Sequence, residues 1–347
     1  MTQNPLNTPR KKPTKKRLII GLLLLAVVVA VTGLCYWQTQ HHPATASQES
    51  NDAQKIVLKV ASQKDSLRIL LEASNALKDA PYSVEFISFA SAGPSAQAVA
   101  TQAADFAVVG EASLAFALAS HAPIKVVGVV RTRVTDTAVA ILVKKDSPYQ
   151  HITDLLGKKI TTTKGSVGHF LALAALHQAG YRGKDVQFIY LQPGEARTLL
   201  ASGQADAWAT WDPYTSMAQL DGQTRVLVSG EKLFAGNIPL IANQQAITEK
   251  TAILQDFLTR IGKAYDWVNQ HPQQFSAIQA KHTGLPLQVH LLSNQHGQPH
   301  RVAIDRSAIN ELQRSIDLYR KEGLIQQPIN ASSAFDLRFN PSPKTDR

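Results

Sequence analysis

This 347-residue chain has one cysteine, two methionines and an aromatic share of only 7%. A lone Cys35 cannot close an internal disulfide, and it excludes a zinc centre built from several thiolates. Between Leu18 and Trp37 there is no charged residue, and residues 1–46 hold no acid. No internal repeat or low-complexity tract follows residue 52. The rest is ordinary globular composition, 44% hydrophobic and 18% charged. That length suggests about two domains, each with chain enough for a core.

The formal charge of +10 is concentrated at the start. Arg10, Lys11, Lys12, Lys15, Lys16 and Arg17 supply six positive charges, leaving 30 basic against 26 acidic residues from Ser47 onward. So balanced a body gives no reason to invoke nucleic acid, which asks for a concentrated basic face.

As a helix, Leu18–Trp37 would be about 30 Å long, enough to cross a bilayer core. Its basic flank keeps residues 1–17 cytoplasmic and sends the rest across. Either the segment is a signal peptide cut after the small-x-small run Ala44-Thr45-Ala46, or it is an uncleaved anchor formed by residues 18–37. Both put the body on the periplasmic side of a bacterial inner membrane. Residues 38–55 are polar and form a linker.

From residue 56 the pattern is β then α, repeated. Strands are expected over Ile56–Ala61, Tyr82–Phe89, Phe106–Val109, Lys125–Val130 and Ala138–Val143, with helices over Ser66–Leu77, Ser95–Ala104 and Ala112–Ala119. A second set has strands at Lys159–Thr162, Val186–Leu191, Ala205–Thr210 and Arg225–Val228. Its helices are a short one at Ile152–Leu156, then Ser166–Gln178 and one running from Pro193 to Gly203. Leu240–Asn243 is the last strand, and Thr248–Glu322 is mostly helical. Strands joined by helices imply parallel sheets covered on both faces. The fold class is therefore α/β with two lobes and a two-strand hinge, at about 138–144 and 238–243. The expected division is 56–140 for the first lobe, 141–240 for the second, 241–335 for the return and 336–347 for a tail.

Ligands of open α/β sheets bind outside the carboxyl ends of the strands. The corner Ser62-Gln63-Lys64-Asp65-Ser66 offers donors, with Asp65 capping the next helix. Ser91-Ala92-Gly93-Pro94-Ser95 makes a tight turn. Gly110-Glu111-Ala112-Ser113 lets a ligand approach backbone, and Glu111 either bonds a polar ligand or complements its helix end. Thr162-Thr163-Lys164-Gly165-Ser166-Val167-Gly168-His169 is the most informative. There the N–H groups of Ser166, Val167 and Gly168 lack intrahelical partners, and the helix dipole favours an anion. The spacing is not that of a P-loop, and one helix terminus suits a single compact anion better than a triphosphate. In Trp208-Ala209-Thr210-Trp211-Asp212-Pro213, Trp208 belongs in the core, Trp211 walls an apolar tail, and Asp212 caps the helix that Pro213 begins.

These corners, in this order, resemble the aliphatic sulfonate, taurine and nitrate-type substrate-binding proteins of ABC importers, over about residues 56–335. The carrying motifs are Ser62-Gln63-Lys64, Ala92-Gly93-Pro94, Gly110-Glu111, Asp154-Leu155-Leu156-Gly157-Lys158-Lys159, Lys164-Gly165-Ser166 and Asp206-Ala207-Trp208-Ala209-Thr210-Trp211-Asp212-Pro213. The resemblance implies a type II periplasmic binding fold and a small organic anion as ligand. It also implies an ABC permease with its cytoplasmic ATPase as partners, and a protein that is a monomer and no enzyme. By position, Gln63, Gly93, Gly110, Ser166, Gly168 and Trp211 would line the site. Glu111, Val167, His169 and Asp212 complete the expected ligand-binding set, with no catalytic residue, cofactor or metal. The chain departs from the family at Gln97, where a Glu is frequent, and at Glu111-Ala112-Ser113, where Asp and prolines are common.

Other readings are open. Related members bind pyrimidine compounds, thiamine precursors or nitrate, and some proteins of this fold are enzymes acting on a pyrimidine. His169 is a candidate base for such chemistry, but no partner is predictable beside it. His290, His296 and His300 match no metal-ligand spacing and read as a solvated loop. A membrane-anchored ligand sensor is the third reading.

Overall fold

The computed structural model describes residues 56–135 and 137–341. The expectations for residues 1–17, the apolar span 18–37, the linker 38–55 and the last six residues lie outside them.

The chain first lays down β1 (Val57–Gln63), α1 (Ser66–Ala73), β2 (Ser83–Phe89), α2 (Ala92–Ala100), β3 (Phe106–Val108), α3 (Glu111–Ala119) and β4 (Ile124–Arg131). It crosses over 132–138 and builds β5 (Val139–Lys144), β6 (Lys159–Thr162), α4 (Val167–Gln178), β7 (Gln187–Tyr190), α5 (Pro193–Ala201), β8 (Ala207–Trp211), α6 (Tyr214–Asp221) and β9 (Thr224–Ser229). It returns over 230–236 to form β10 (Asn237–Asn243). There follow α7 (Gln244–Glu249), α8 (Thr251–Gln270), α9 (Pro272–Thr283), α10 (Leu287–Gly297), β11 (His300–Val302) and α11 (Arg306–Lys321).

Two sheets result, in the orders β11-β4-β10-β3-β1-β2 and β7-β6-β8-β5-β9. Neither is purely parallel, as the helical connections had suggested. In each, the β-α-β strands run parallel, while β10 and β5, which start after a crossing, run antiparallel to both neighbours. The expected boundaries at 140 and 240 fall inside β5 and β10, each of which lies wholly in one sheet.

Both crossings run side by side. The Thr132 N–H donates to the Gly236 carbonyl at 2.9 Å. Gly236 has φ +75°, and a Cβ there would stand 2.0 Å from the Thr132 oxygen, so only glycine fits.

Several elements end where side chains compete with the helix. The Ser74 hydroxyl bonds back to the Leu70 and Leu71 carbonyls and Asn75 takes φ 52°, so α1 stops at Ala73 rather than Leu77. Gln102, at φ 62°, closes α2 early. At its other end α2 starts at Ala92, because Pro94 is tolerated in a first turn. Pro239 would ordinarily argue against a central strand, yet β10 runs through it, with a bulge one step on between Leu240 and Ile241.

Each sheet is covered on both faces. α8 presents Leu254, Phe257, Leu258, Ile261, Ala264 and Val268 at helical spacing to the first sheet. Each large side chain so buried contributes about 1.5–3 kcal/mol. The opposite face of that sheet packs α2, α3 and α11, and its core continues into the second lobe through Phe170 and Leu173 of α4.

Candidate functional site

Between the lobes, at the carboxyl ends of the parallel strands of both sheets, lies a cleft of about 850 Å³. The first lobe contributes the starts of α1, α2 and α3, and the second the starts of α4 and α5 and the Trp211-Asp212 corner before α6. Below them the two crossings and α11 close the floor, with Arg133, Phe234, Gly236, Glu311 and Ser315 among the lining residues.

Three helix amino ends meet there. α2 begins after Ser91 and α3 after Gly110, both in extended conformation. A Cβ on Gly93 or Gly110 would meet nothing within 4 Å, so both glycines leave backbone open to the cleft. α4 begins after Ser166, whose hydroxyl accepts the His169 N–H at 3.2 Å. The Ser166 N–H, expected to be free, donates to the Thr163 carbonyl at 3.1 Å. Of the three amides expected to be free, those of Val167 and Gly168 therefore remain without partners among the described residues at this corner. With the dipoles behind them, such ends form an anion cradle, each worth about 0.3–2 kcal/mol to a charge plus its hydrogen bonds.

Gln63, Gly93, Gly110, Glu111, Ser166, Val167, Trp211 and Asp212 all line the cleft. Gly168 and His169 do not, and packing explains both. A Cβ on Gly168 would stand 2.4 Å from the Ala209 carbonyl oxygen, so this glycine serves the close approach of α4 to β8. His169 is wholly buried, with its ring edge-on to Phe188 and Tyr190 and tilted against Tyr319. Its Nδ1 accepts the Gly165 N–H at 3.3 Å, which leaves the proton on Nε2, 3.3 Å from the Tyr190 hydroxyl. Burial, helped by the Lys164 charge, lowers its pKa to about 4. A neutral, enclosed imidazole of this kind orders the α4 corner and is not a base facing a substrate.

Asp65 does not cap α1. It takes φ 57° and pairs with Arg68, while the Ser62 hydroxyl accepts the Leu67 N–H. Asp212 does hold the first turn of α6: its Oδ1 accepts the Ser216 N–H at 3.0 Å and the Thr215 and Ser216 hydroxyls. Its Oδ2 accepts from His296 Nδ1 at 2.6 Å, across the cleft. His296 and His290 are thus not in a solvated loop. They are buried on α10, and His290 bonds the Thr283 hydroxyl at 2.7 Å. No group of three or more metal-ligating side chains occurs among the described residues.

Trp211, Tyr190, Phe170, Phe234 and Tyr265 are the aromatic residues among the described lining. Trp211 packs edge-on to Tyr214, whose hydroxyl takes the Lys64 ammonium at 2.5 Å from the opposite lobe. Trp208 is buried in the core of the second lobe. On the far side of the cleft floor, Glu322 ties the end of α11 to His177, to Arg182 and to the Gly183 N–H of the second lobe.

Sequence reasoning missed the contribution of α11. Glu311 is 5% exposed, accepts the Ala235 N–H and the Asn237 amide at 2.5 Å each, and so fastens the returning crossing. It also faces Glu111. Burial pushes the Glu111 carboxyl well above the usual carboxylate range and the Glu311 charge adds to this, against the opposing Arg314 guanidinium and Ser315 hydroxyl. The dipole at this first-turn position also opposes, but by only ~0.3–1 kcal/mol.

A family model described as NMT1/THI5 like matches residues 77–275. A protein of Escherichia coli (strain K12) named for aliphatic sulfonates binding is 32% identical over 291 residues, 83% of this chain and 89% of its own. The crystal structure of the periplasmic aliphatic sulphonate binding protein SsuA from Escherichia coli superposes with a TM-score of 0.75 at 27% identity, covering 84% of this chain and 94% of that one. The alkanesulfonate-binding protein SsuA from Xanthomonas axonopodis pv. citri, bound to MOPS, gives 0.75 at 26% identity, covering 81% and 98%. The fold is thus the two-lobed periplasmic binding fold that the corner motifs implied. With the family model spanning more than half of its length and a relative nearly a third identical across four-fifths of it, the chain belongs to the NMT1/THI5-like family.

Proposed function

We propose that this protein is the substrate-binding component of an ABC importer. It captures a small organic sulfonate in the interlobe cleft on the periplasmic side and delivers it to a membrane permease driven by a cytoplasmic ATPase. The observation that carries this reading is the approach of the starts of α2 and α3 from one lobe and of α4 from the other to a single cleft, where the unpartnered Val167 amide lies. A sulfonate is a compact acceptor-only anion, and its apolar tail fits against Trp211 and the neighbouring rings. The sulfonate-binding relatives support the same ligand class.

At about one hundred times its dissociation constant, a ligand stabilises its protein by ~2.7 kcal/mol. At this chain length that is a melting shift of several degrees, roughly 2–4 °C per kcal/mol. The panel is alkanesulfonates, taurine, nitrate and pyrimidines. Alkanesulfonates are expected to shift the melting point most, and a shift confined to nitrate or pyrimidines would overturn the sulfonate reading. Val167→Pro sharpens the test. Proline is accommodated at the first helical position, and Ser166 before it is already extended. The substitution removes one cleft amide while keeping α4, so sulfonate affinity is expected to fall about tenfold, the worth of one hydrogen bond to a charge. Undiminished affinity in the folded variant would remove the anion from this corner.

A further inference from the structure

Among the described residues, four acids line the cleft: Glu111, Glu195, Asp212 and Glu311. Three are engaged. Glu195 accepts the Gln192 N–H, Asp212 holds α6 and His296, and Glu311 holds Ala235 and Asn237. Glu111 has no ion-pair partner among the described residues, and its side-chain hydrogen bond is with the Ser315 hydroxyl. The groups that face it come from α11: Glu311, Arg314, Ser315 and Tyr319. Its own helix and α2 bring no other titratable side chain. The cleft cations stand elsewhere, with Arg133 spent on the Gln295 and His296 carbonyls and Lys164 exposed beside the Tyr190 ring.

Glu111 is also the first residue of α3, so its side chain leaves the backbone at the anion cradle itself. Every group that touches the oxygens of an ionised sulfonate has to donate. A carboxylate here would set a second negative charge between the ligand and Glu311, and Arg314, the cation that faces the pair, already lies 3.5 Å from Glu311 Oε1. Glu311 is fixed as an acceptor by its two donors.

We propose that Glu111 binds the ligand as an uncharged carboxylic acid, its hydroxyl donating to a sulfonate oxygen seated on the amino ends of α2, α3 and α4. This rests on the sulfonate reading and adds a specificity-determining side chain to it. Burial of Glu111, which favours its neutral form, is consistent with the geometry.

The test uses the full chain, ethanesulfonate as the probe, and two readouts. Infrared difference spectra of wild type against Glu111→Gln at pH 7 are expected to contain a protonated-carboxyl C=O stretch that moves when ethanesulfonate is added. In calorimetry, Glu111→Ala is expected to lose about tenfold in affinity, and Glu111→Gln, whose amide still donates, to recover most of that loss. Wild-type affinity is expected to hold up to the pH at which the infrared band vanishes. Beyond it, affinity should fall about tenfold per pH unit, with uptake of about one proton on binding. A carboxylate band alone at pH 7 overturns the proposal. So does a loss in Glu111→Gln confined to aminoalkanesulfonates, which would make Glu111 the partner of a ligand ammonium. Either result leaves the sulfonate reading standing, whereas failure of every sulfonate to bind the wild type overturns both.

Discussion

His296 Nδ1 lies 2.6 Å from Asp212 Oδ2, joining α10 to the corner between β8 and α6 on the other side of the cleft. The two side chains are only 11% and 15% exposed. His296 Nε2 stands 3.1 Å from the Thr137 hydroxyl, so the ring is held from both sides. One carboxylate thus fastens a helix start with one oxygen and a contact between the lobes with the other.

Loss of the two partners is therefore expected to be unequal. His296→Ala should lower stability by about 1–3 kcal/mol, the cost of leaving a buried acceptor short of a donor. Asp212→Ala should cost ~0.5–2 kcal/mol more, because the cap of α6 goes as well. Urea unfolding of the two variants checks the order, and solution scattering should show both more open than wild type without ligand. An aspartate variant no less stable than the histidine variant would contradict the double role.

Gly168→Ala is expected to disturb folding before binding. Its Cβ would stand 2.4 Å from the Ala209 oxygen and 3.0 Å from the Thr210 nitrogen, both backbone atoms that cannot swing aside. Overpacking of this kind costs about 1–3 kcal/mol. A variant as stable as wild type by thermal denaturation would show that α4 can slide on β8 at no cost.

His169 predicts acid sensitivity. Its folded pKa of about 4 lies below the usual histidine value near 6.5. Between these values the unfolded chain binds the proton and the folded one does not. The histidine's contribution is thus complete above pH 6.5 and lost as pH falls toward 4. The total is about 3 kcal/mol at 1.36 kcal/mol per unit. Glu111 has the opposite sign, since an acid with a raised folded pKa withdraws stability as pH rises. Between pH 7 and pH 4.5 the melting temperature of His169→Phe should drop by less than that of wild type. Equal drops would exclude His169 as the group responsible.

The corners of the fold were legible because each is a local event. A strand, a glycine or serine and a helix start lie within a few residues at Ser91–Pro94, Gly110–Ser113 and Lys164–Val167. Turn chemistry and the strand-end rule then suffice to aim them at one cleft. Details that depend on one hydrogen bond were less accessible, and the Thr163 carbonyl removes Ser166 from the amides expected to be free. What escaped sequence reasoning comes from far along the chain. Glu311 looks like one more polar residue on an amphipathic helix until α11 is docked under the crossings. His296 lies among Gln, Gly and Pro residues that suggest a loop, and only its partner 84 positions away gives it a role.

The bond from Thr132 to Gly236 couples the two passages between the lobes into a double-stranded strap. Such a strap bends far more easily than it shears, because shear would drive the Thr132 oxygen into the glycine it already touches. Capture and release of a ligand should then follow a single angular coordinate, along which the Asp212–His296 contact on the cleft face parts while Glu322, behind the floor, acts as the fulcrum.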